Sequence, residues 1–566
     1  MIEVLISWFV IFAASLLFGY CAILFIYKEE EKWLLSLDVC IMCGLMILNV
    51  YAEIFSLFYK VGIMACFILF ILGLMLLIIL CLKERSQLQR LYKTVVGNLS
   101  GISCILYILG GLCILVTLLW TVLAPQHYDT ALYHAQAVRW IEEYGVVPGL
   151  GNLHNRFAYN SAFMPLQALF SLRWLFDQSL HTLNGFLSCF LLIYAIATNN
   201  LIKRKKLLLS DFFKLAMIVY ICINRKYISS LSSDILAMLL VIYIFAKWSE
   251  LLEKHVKSDL PYAFYCMMAM WAATVKLSTA TGVLLAIYPI MLMIKRKEYK
   301  RIIVHLGVGG GIAIPWLIRN VIISGYLLYP YSKLDLFNVD WKMLPSVLDF
   351  DKMEIVVWGR NVKDVNLYQQ YISEWIGGWY REQSWFEQVL IILGFTSAIF
   401  LLGMCIYKIC QKKYADILLW LVALIGLGAW FFSAPLLRYG SAYLLLPMCI
   451  VLAQIVEKKA AIGRVICFLT LIPMLCIYCS QITYFCQVSV VKQEDYREYA
   501  SKEFLLGETK LWIPQEGDQI GYNVFPSTPY ENILGIIELR GENVCDGFRV
   551  KEESREMRIN TYGDEW

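Results

Sequence analysis

Long uninterrupted apolar runs constrain this chain more than any other feature. Ile2–Tyr27, Val61–Leu82, Gly101–Ala124 and Val465–Phe485 each reach the length of about 20 residues that a helix needs to span a hydrocarbon core. Inside lipid, every backbone N–H and C=O must be paired within the protein, so such runs are helices or strands of a closed barrel. Barrel strands alternate apolar and polar residues; these runs do not, which leaves helices. The composition agrees: 60% of residues are hydrophobic and 16% charged, against roughly 25% charged in a soluble domain. The expected fold is therefore an all-α polytopic membrane protein. The first run is long and lacks a small-residue cleavage site, so it reads as a retained helix rather than a signal peptide.

Segments of helix length number about 14, starting near 2, 33, 61, 101, 180, 209, 230, 261, 276, 302, 387, 416, 439 and 465. The two near 261 and 276 are short enough to form one bent pair. The net charge of +5 gathers in loops, which points to topology and away from nucleic acid. The basic clusters Lys83–Lys93, Lys203–Lys206, Lys254–Lys257, Lys295–Arg301, Lys408–Lys413 and Lys458–Arg464 belong on the cytoplasmic side. Both termini then lie outside, together with loops 125–179 and 324–386 and the polar segment 487–566. The outer turn Asn224-Arg225-Lys226-Tyr227 carries positive charge on the wrong side, either as snorkelling side chains or as an anion site. Nearly all of the 18 cysteines lie within or beside apolar spans, without framework or zinc-ligand spacing; they read as small apolar packing residues.

The first outer loop begins Ala124-Pro125-Gln126-His127-Tyr128-Asp129 and runs helix-friendly to Gly145. Leu132, Ala135, Val138 and Ile141 recur at helical spacing, and Trp140 and Tyr144 add amphipathic rings. That pattern predicts a helix lying on the membrane surface, with Asp129 as its N-cap. Three of the six histidines, His127, His134 and His154, fall in this loop, as polar interface residues or as ligand or metal contacts. Ionisable residues also sit at the outer ends of spans, where charge suggests function. Asp234 follows a serine run, Lys276 lies between two short spans, Arg319 follows Pro315-Trp316, and Arg438 follows Pro435. Topology drawn without these residues brings two carboxylates and three cations near one face, a combination suited to a phosphate leaving group.

The stretch HYDTALYHAQAVRWIEEYGVVPGLGNLHNR from His127 to Arg156 resembles a family of bacterial multi-pass membrane proteins that carries this first-loop signature, as do PWLIRN (315–320), SGYLLYP (324–330) and FPSTPY (525–530). On topology and a few positions that family is similar to the GT-C glycosyltransferases, which use polyprenyl-phosphate sugars. The resemblance implies a GT-C-like module over 101–486, N-terminal transmembrane helices over 1–100 and an extracytoplasmic segment over 487–566. It implies Asp129 and Asp234 as catalytic acids and Lys276 on the donor phosphate; the residues' own placement adds Arg319, Arg438 and Arg225 to the phosphate and His127, Tyr128, His134 and His154 to the substrate. The glycine that usually follows the lysine is Leu277 here, and the loop's usual pair of adjacent acids is lacking. The implied partners are membrane lipids, a polyprenyl-phosphate-linked sugar, and a glycan, lipid or protein acceptor at the outer face of a bacterial inner membrane. The cofactor is left open, a divalent metal included. The aromatic cluster Trp375-Ile376-Gly377-Gly378-Trp379-Tyr380 is expected either to stack on sugars or to belong to the interfacial aromatic belt. The competing reading is a transporter, flippase or polymerase for lipid-linked glycans.

Overall fold

The computed structural model describes residues 1–26, 35–83, 86, 89, 93, 104–201, 206–410, 416–456, 460–484 and 486–566. The basic clusters near 83–93, 203–206, 408–413 and 458–464 lie wholly or partly outside the described residues. Helices dominate, and nine among the described residues are long and apolar enough to cross a membrane. We label the helices α1 (Ile2–Ile26), α2 (Leu37–Phe58), α3 (Ile63–Lys83), α4 (Cys104–Val122), α5 (Ala135–Glu143), α6 (Phe163–Phe170), α7 (Leu183–Thr198), α8 (Leu209–Ile223), α9 (Ser233–Glu253), α10 (Leu260–Val275), α11 (Ile287–Lys295), α12 (Tyr299–Ser324), α13 (Pro345–Gly359), α14 (Ile372–Arg381), α15 (Trp385–Cys410), α16 (Ile417–Ser433), α17 (Leu437–Val456) and α18 (Ala460–Cys479). The spans near 261 and 276 are separate helices folded back on each other. Lys276 takes an extended backbone between them and a 3₁₀ stretch, Leu277–Ala286, leads into α11.

The helices pack by small residues and by burial. A Cβ at Gly19 of α1 would lie 1.8 Å from the Cys40 carbonyl oxygen of α2, a close backbone approach typical of membrane helix pairs. α9 is sheathed by the other helices; every residue from Ile235 to Ala246 is buried. α3 exposes most of its apolar surface, as a lipid-facing helix does. The N-terminus joins the chain beyond α18: the Met1 ammonium donates to the Ser489 and Val491 carbonyls (3.3 and 3.2 Å), and Ile2 N–H to Val490 (3.0 Å). The first loop lies at that same end, where Ala124 N–H donates to Glu494 (2.8 Å).

The opposite end of α9 holds a buried ion cluster. Lys247 bridges Asp38 of α2 (3.0 Å) and Glu250 (3.3 Å), and Lys214 of α8 meets Glu250 (2.8 Å). The Tyr243 hydroxyl donates to Asp38 (2.8 Å). Two acids and two bases balance, which is how charges persist in an apolar surround.

The segment 487–566 is not simply a polar tail but adds short strands to a predominantly helical chain. It forms two two-stranded antiparallel sheets, β1 (Ser501–Leu506) with β2 (Thr509–Pro514) and β3 (Ile537–Leu539) with β4 (Phe548–Val550). Leu511, Ile513, Ile533 and Phe548 share a second hydrophobic core with Trp140 and Leu153 of the first loop and Leu348 of α13. The predicted surface helix is therefore α5, and it is covered rather than lying open at the interface: Trp140 is fully buried against Phe525 and Phe548 (ring centroids 4.9 and 5.9 Å). Gly145 ends it with φ +82°, and a Cβ there would sit 2.6 Å from the Ser56 carbonyl oxygen of α2. The aromatic run in α14 also turns inward. Trp375 and Trp379 are buried against Phe431, and the Trp379 indole donates to the Pro435 carbonyl (2.9 Å). Those two rings have no face free for a sugar.

Candidate functional site

Asp129 does not cap a helix. Its backbone is already helical and its side chain makes no capping bond; instead a π-helical turn, Thr130–His134, leads into α5. Such wide turns are rare and recur at functional sites. The freed carboxylate accepts a hydrogen bond from Arg438 Nη2 (2.8 Å), across 309 residues of sequence. Arg438 Nε lies 3.9 Å from Asp234, and Asp234 is directly ion-paired with Lys276. The four side chains thus form one alternating row, Asp129–Arg438–Asp234–Lys276.

Each member is placed by local sequence. Ser232 caps α9, its hydroxyl accepting from Asp234 N–H (3.2 Å). Asn184 of α7 pins the preceding serine turn by donating to the Ser230 and Ser232 carbonyls (2.8 Å each). The extended backbone at Lys276 ends α10 and turns its side chain toward α9. Tyr439 braces both cations: Lys276 Nζ lies 3.6 Å from its ring centroid, and Arg438 Nη2 donates to its hydroxyl (3.0 Å). The Asp129 and Asp234 side chains are deep, 11% and 10% exposed, whereas those of Arg438 and Lys276 are 29% and 20% exposed. The row turns its positive members outward.

Electrostatics follow from this packing. Burial works to raise the Asp129 pKa. The Arg438 guanidinium, with Arg156 behind it, overcomes that and holds the carboxyl well below the usual carboxylate range. His127 completes the row's edge: its Nδ1 lies 3.2 Å from the Asp129 backbone nitrogen, and its Nε2 lies 3.1 Å from Arg438 Nη1. Arg438 can only donate, so Nε2 accepts from it when the ring proton is on Nδ1, and Nδ1 accepts from Asp129 N–H when the proton is on Nε2. Burial keeps both His127 and His134 neutral, pushing His134 down to about 3. His134 stands behind His127 (ring centroids 5.7 Å).

Other predicted residues fall elsewhere. Tyr128 is exposed and its hydroxyl donates to Asp518 of the C-terminal segment. His154 is fully buried in an aromatic cage of Phe157 and Tyr530 (4.9 and 5.3 Å). Arg225 reaches the Cys222 carbonyl (3.2 Å) and the Trp120 ring (5.7 Å). Its neighbour Tyr227 touches the His127 ring (5.1 Å), so this turn borders the row without joining it. Arg319 stands apart from the row. It is buried, donating to Asn160 Oδ1 (3.0 Å) and to the Ser56 hydroxyl, with Glu53 of α2 opposite. Sequence reading missed Glu53, though a glutamate inside an apolar run was a signal in itself. It also missed Asp351 of α13, which accepts from Asn155 Nδ2 (2.7 Å) and the Tyr159 hydroxyl (3.1 Å).

Asp351 yields a pH prediction. Burial pushes its carboxyl up to about 7 against the opposing pull of Arg156. The folded chain keeps a proton that the unfolded chain releases near pH 4, so this group's contribution to stability is lost as pH rises through about 7. Thermal unfolding of the detergent-solubilised protein should show that loss, and Asp351→Asn should flatten it. An equally steep profile in the variant contradicts the assignment.

The residues do not fit a divalent metal. Asp129 and Asp234 are both engaged by cations, and no group of three His, Cys, Asp or Glu among the described residues is arranged to hold an ion. The fold and site together define a helical multi-pass membrane protein with a buried row of alternating charge at one end. The chain belongs to the family described as "Domain of unknown function (DUF8201)", whose model matches residues 1–445. That match takes in α1 to α3 along with the charged row. No curated protein and no solved structure matches the chain.

Proposed function

We propose that this protein is a GT-C-like membrane glycosyltransferase that moves a sugar from a polyprenyl-phosphate donor to an acceptor at the extracytoplasmic face of a bacterial inner membrane, in cell-envelope glycan or lipid modification. With the four shorter apolar helices and α8 added to the nine long ones, the chain crosses the bilayer fourteen times and both termini lie outside. The observation that carries the reading is the alternating row with its cations turned outward. The donor phosphate binds Lys276 and Arg438, with the His127 ring beside them. Charge-assisted bonds of this kind suit phosphate. Drawing Arg438 away removes the main pull on Asp129, whose buried carboxylate becomes more basic. The acceptor hydroxyl then attacks the anomeric carbon and the sugar–phosphate bond breaks. Its electron pair stays on the phosphate while the hydroxyl proton passes to Asp129.

A transporter or flippase is the second reading, favoured by the ion cluster at the far end of α9. The two charged layers are about 20 Å apart along that helix, and the residues between are buried and, except for Tyr243, without polar side chains. A polar path is expected of a transporter, so transfer is the better reading.

The test is turnover by purified protein in lipid nanodiscs supplied with labelled polyprenyl-phosphate sugars, scored as release of polyprenyl phosphate. Lys276→Met should lower kcat/KM for the donor roughly ten- to hundredfold, the worth of one hydrogen bond to a charged group. An unaltered kcat/KM removes Lys276 from the phosphate site.

A further inference from the structure

We propose that residues 518–524 of the C-terminal segment are a strap that holds the π turn in shape and so positions Asp129, with Gln136 as the side chain that fastens it. That this positioning serves sugar transfer rests on the transferase reading above; the hold on the turn does not.

A π turn leaves one carbonyl over. In an α-helix the Ala135 N–H would donate to the Ala131 carbonyl, four residues back. Here it donates to Thr130 instead. Ala131 is buried, where an unpaired carbonyl is costly. Its oxygen accepts from two consecutive backbone N–H groups of the strap, those of Ile520 (3.0 Å) and Gly521 (2.9 Å). The irregularity that frees the Asp129 side chain is thus matched by donors from the far end of the chain.

The strap is fastened along its length. Gln136 of α5 is 1% exposed, and its Nε2 donates to the Gly521 and Val524 carbonyls (2.9 and 2.8 Å), with that of Tyr522 at 3.5 Å. All three neighbours are carbonyls, which fixes the amide nitrogen as the atom facing them. Arg139 Nη1 donates to the Tyr522 and Asn523 carbonyls (2.7 and 2.6 Å). At the other end, Gln519 Nε2 donates to the Tyr128 carbonyl (3.2 Å), and the Tyr128 hydroxyl donates to Asp518. The strap therefore grips the chain on both sides of Asp129. It has an anchor of its own in Tyr522, which is buried, stacked on Tyr496 (ring centroids 4.7 Å) and bonded through its hydroxyl to Glu142. Gly521 allows the close approach: its φ is +78°, and a Cβ there would lie 2.7 Å from the Arg497 carbonyl oxygen.

The consequence for the site is geometric. Return of the turn to α-helix shifts the phase by one residue, about 100° around the axis. That rotation carries Asp129 away from Arg438, which it now meets at 2.8 Å. The strap lies beyond the residues 1–445 matched by the family model, so the site is completed by a part of the chain outside that match.

The experiment compares wild type with Gln136→Glu, as full-length protein in lipid nanodiscs, by hydrogen–deuterium exchange and by sugar transfer. The substitution keeps the size of the side chain and turns a carboxylate on three carbonyls. Amides of 130–136 and 518–524 should exchange at least about tenfold faster, while those of α9 stay as in wild type. The kcat per folded molecule should fall roughly ten- to hundredfold, the cost of misplacing a catalytic group by about 1 Å. KM for the lipid donor should stay within about twofold, since Lys276 and Arg438 are untouched. A merely structural role would lower the folded fraction and leave that kcat alone. If Gln136→Glu does not fold, Gly521→Ala displaces the strap from its own side and is read in the same way. Wild-type protection of 130–136 in the variant overturns the proposal, as does wild-type kcat in a variant whose strap has loosened. Faster exchange in the turn of a protein that transfers no sugar would support the strap and refute the transferase reading alone. Transfer indifferent to a loosened strap would refute this inference alone.

Discussion

Asp129→Asn should reduce kcat for sugar transfer by about 10² to 10⁴, the range expected for loss of a general base, while KM for the lipid donor stays level or falls. The asparagine keeps the size of the side chain and can still accept from Arg438, so the row's geometry survives. What disappears is the proton acceptor and the charge that competes with the donor phosphate for Arg438. A loss confined to kcat marks an interaction made in the transition state. Transfer assays with labelled lipid-linked sugar, normalised to folded protein, measure both constants. Unchanged kcat, or a rise in KM alone, contradicts the base assignment.

Arg319→Met should destabilise the protein by about 3–5 kcal/mol, the usual cost of removing one member of a buried ionic network. The variant strands Glu53 and takes a donor from both Asn160 and the Ser56 hydroxyl, all inside the helix bundle. Adding Glu53→Gln should recover part of the loss by neutralising the stranded charge, a coupling expected of residues that share a network. Denaturant or thermal unfolding in detergent reads the effect. Transfer per folded molecule should remain near wild type, because Arg319 serves the packing of α2 against α12. A variant of normal stability that fails to transfer sugar would return Arg319 to the donor site.

The membrane segments were legible because long apolar runs in lipid admit little besides helices, and the expected starting points all fall near helices of the structure. The level of the site was legible too. The basic loops led to the expectation that Asp129, Asp234, Lys276, Arg319 and Arg438 lie near one face, and four of the five meet in the row. Their pairing was not legible, since a contact spanning 309 residues leaves no trace in local pattern. Asp129 misled for a local reason: an aspartate before a helical stretch looks like an N-cap, and the π turn that re-aims it has no composition of its own. Trp375 and Trp379 were equally ambiguous, because a tryptophan at an interface reads the same whether its face is open or packed on Phe431. The covering of α5 by the C-terminal strands depends on tertiary packing between distant segments, which periodicity does not encode.

The most direct test uses sealed proteoliposomes loaded with a polyprenyl-phosphate sugar labelled in both the sugar and the phosphate. The labels should part company, with free polyprenyl phosphate formed at a rate that collapses in Asp129→Asn. Recovery of the doubly labelled lipid intact on the other leaflet, at a rate that Asp129→Asn leaves unchanged, would contradict the transferase reading.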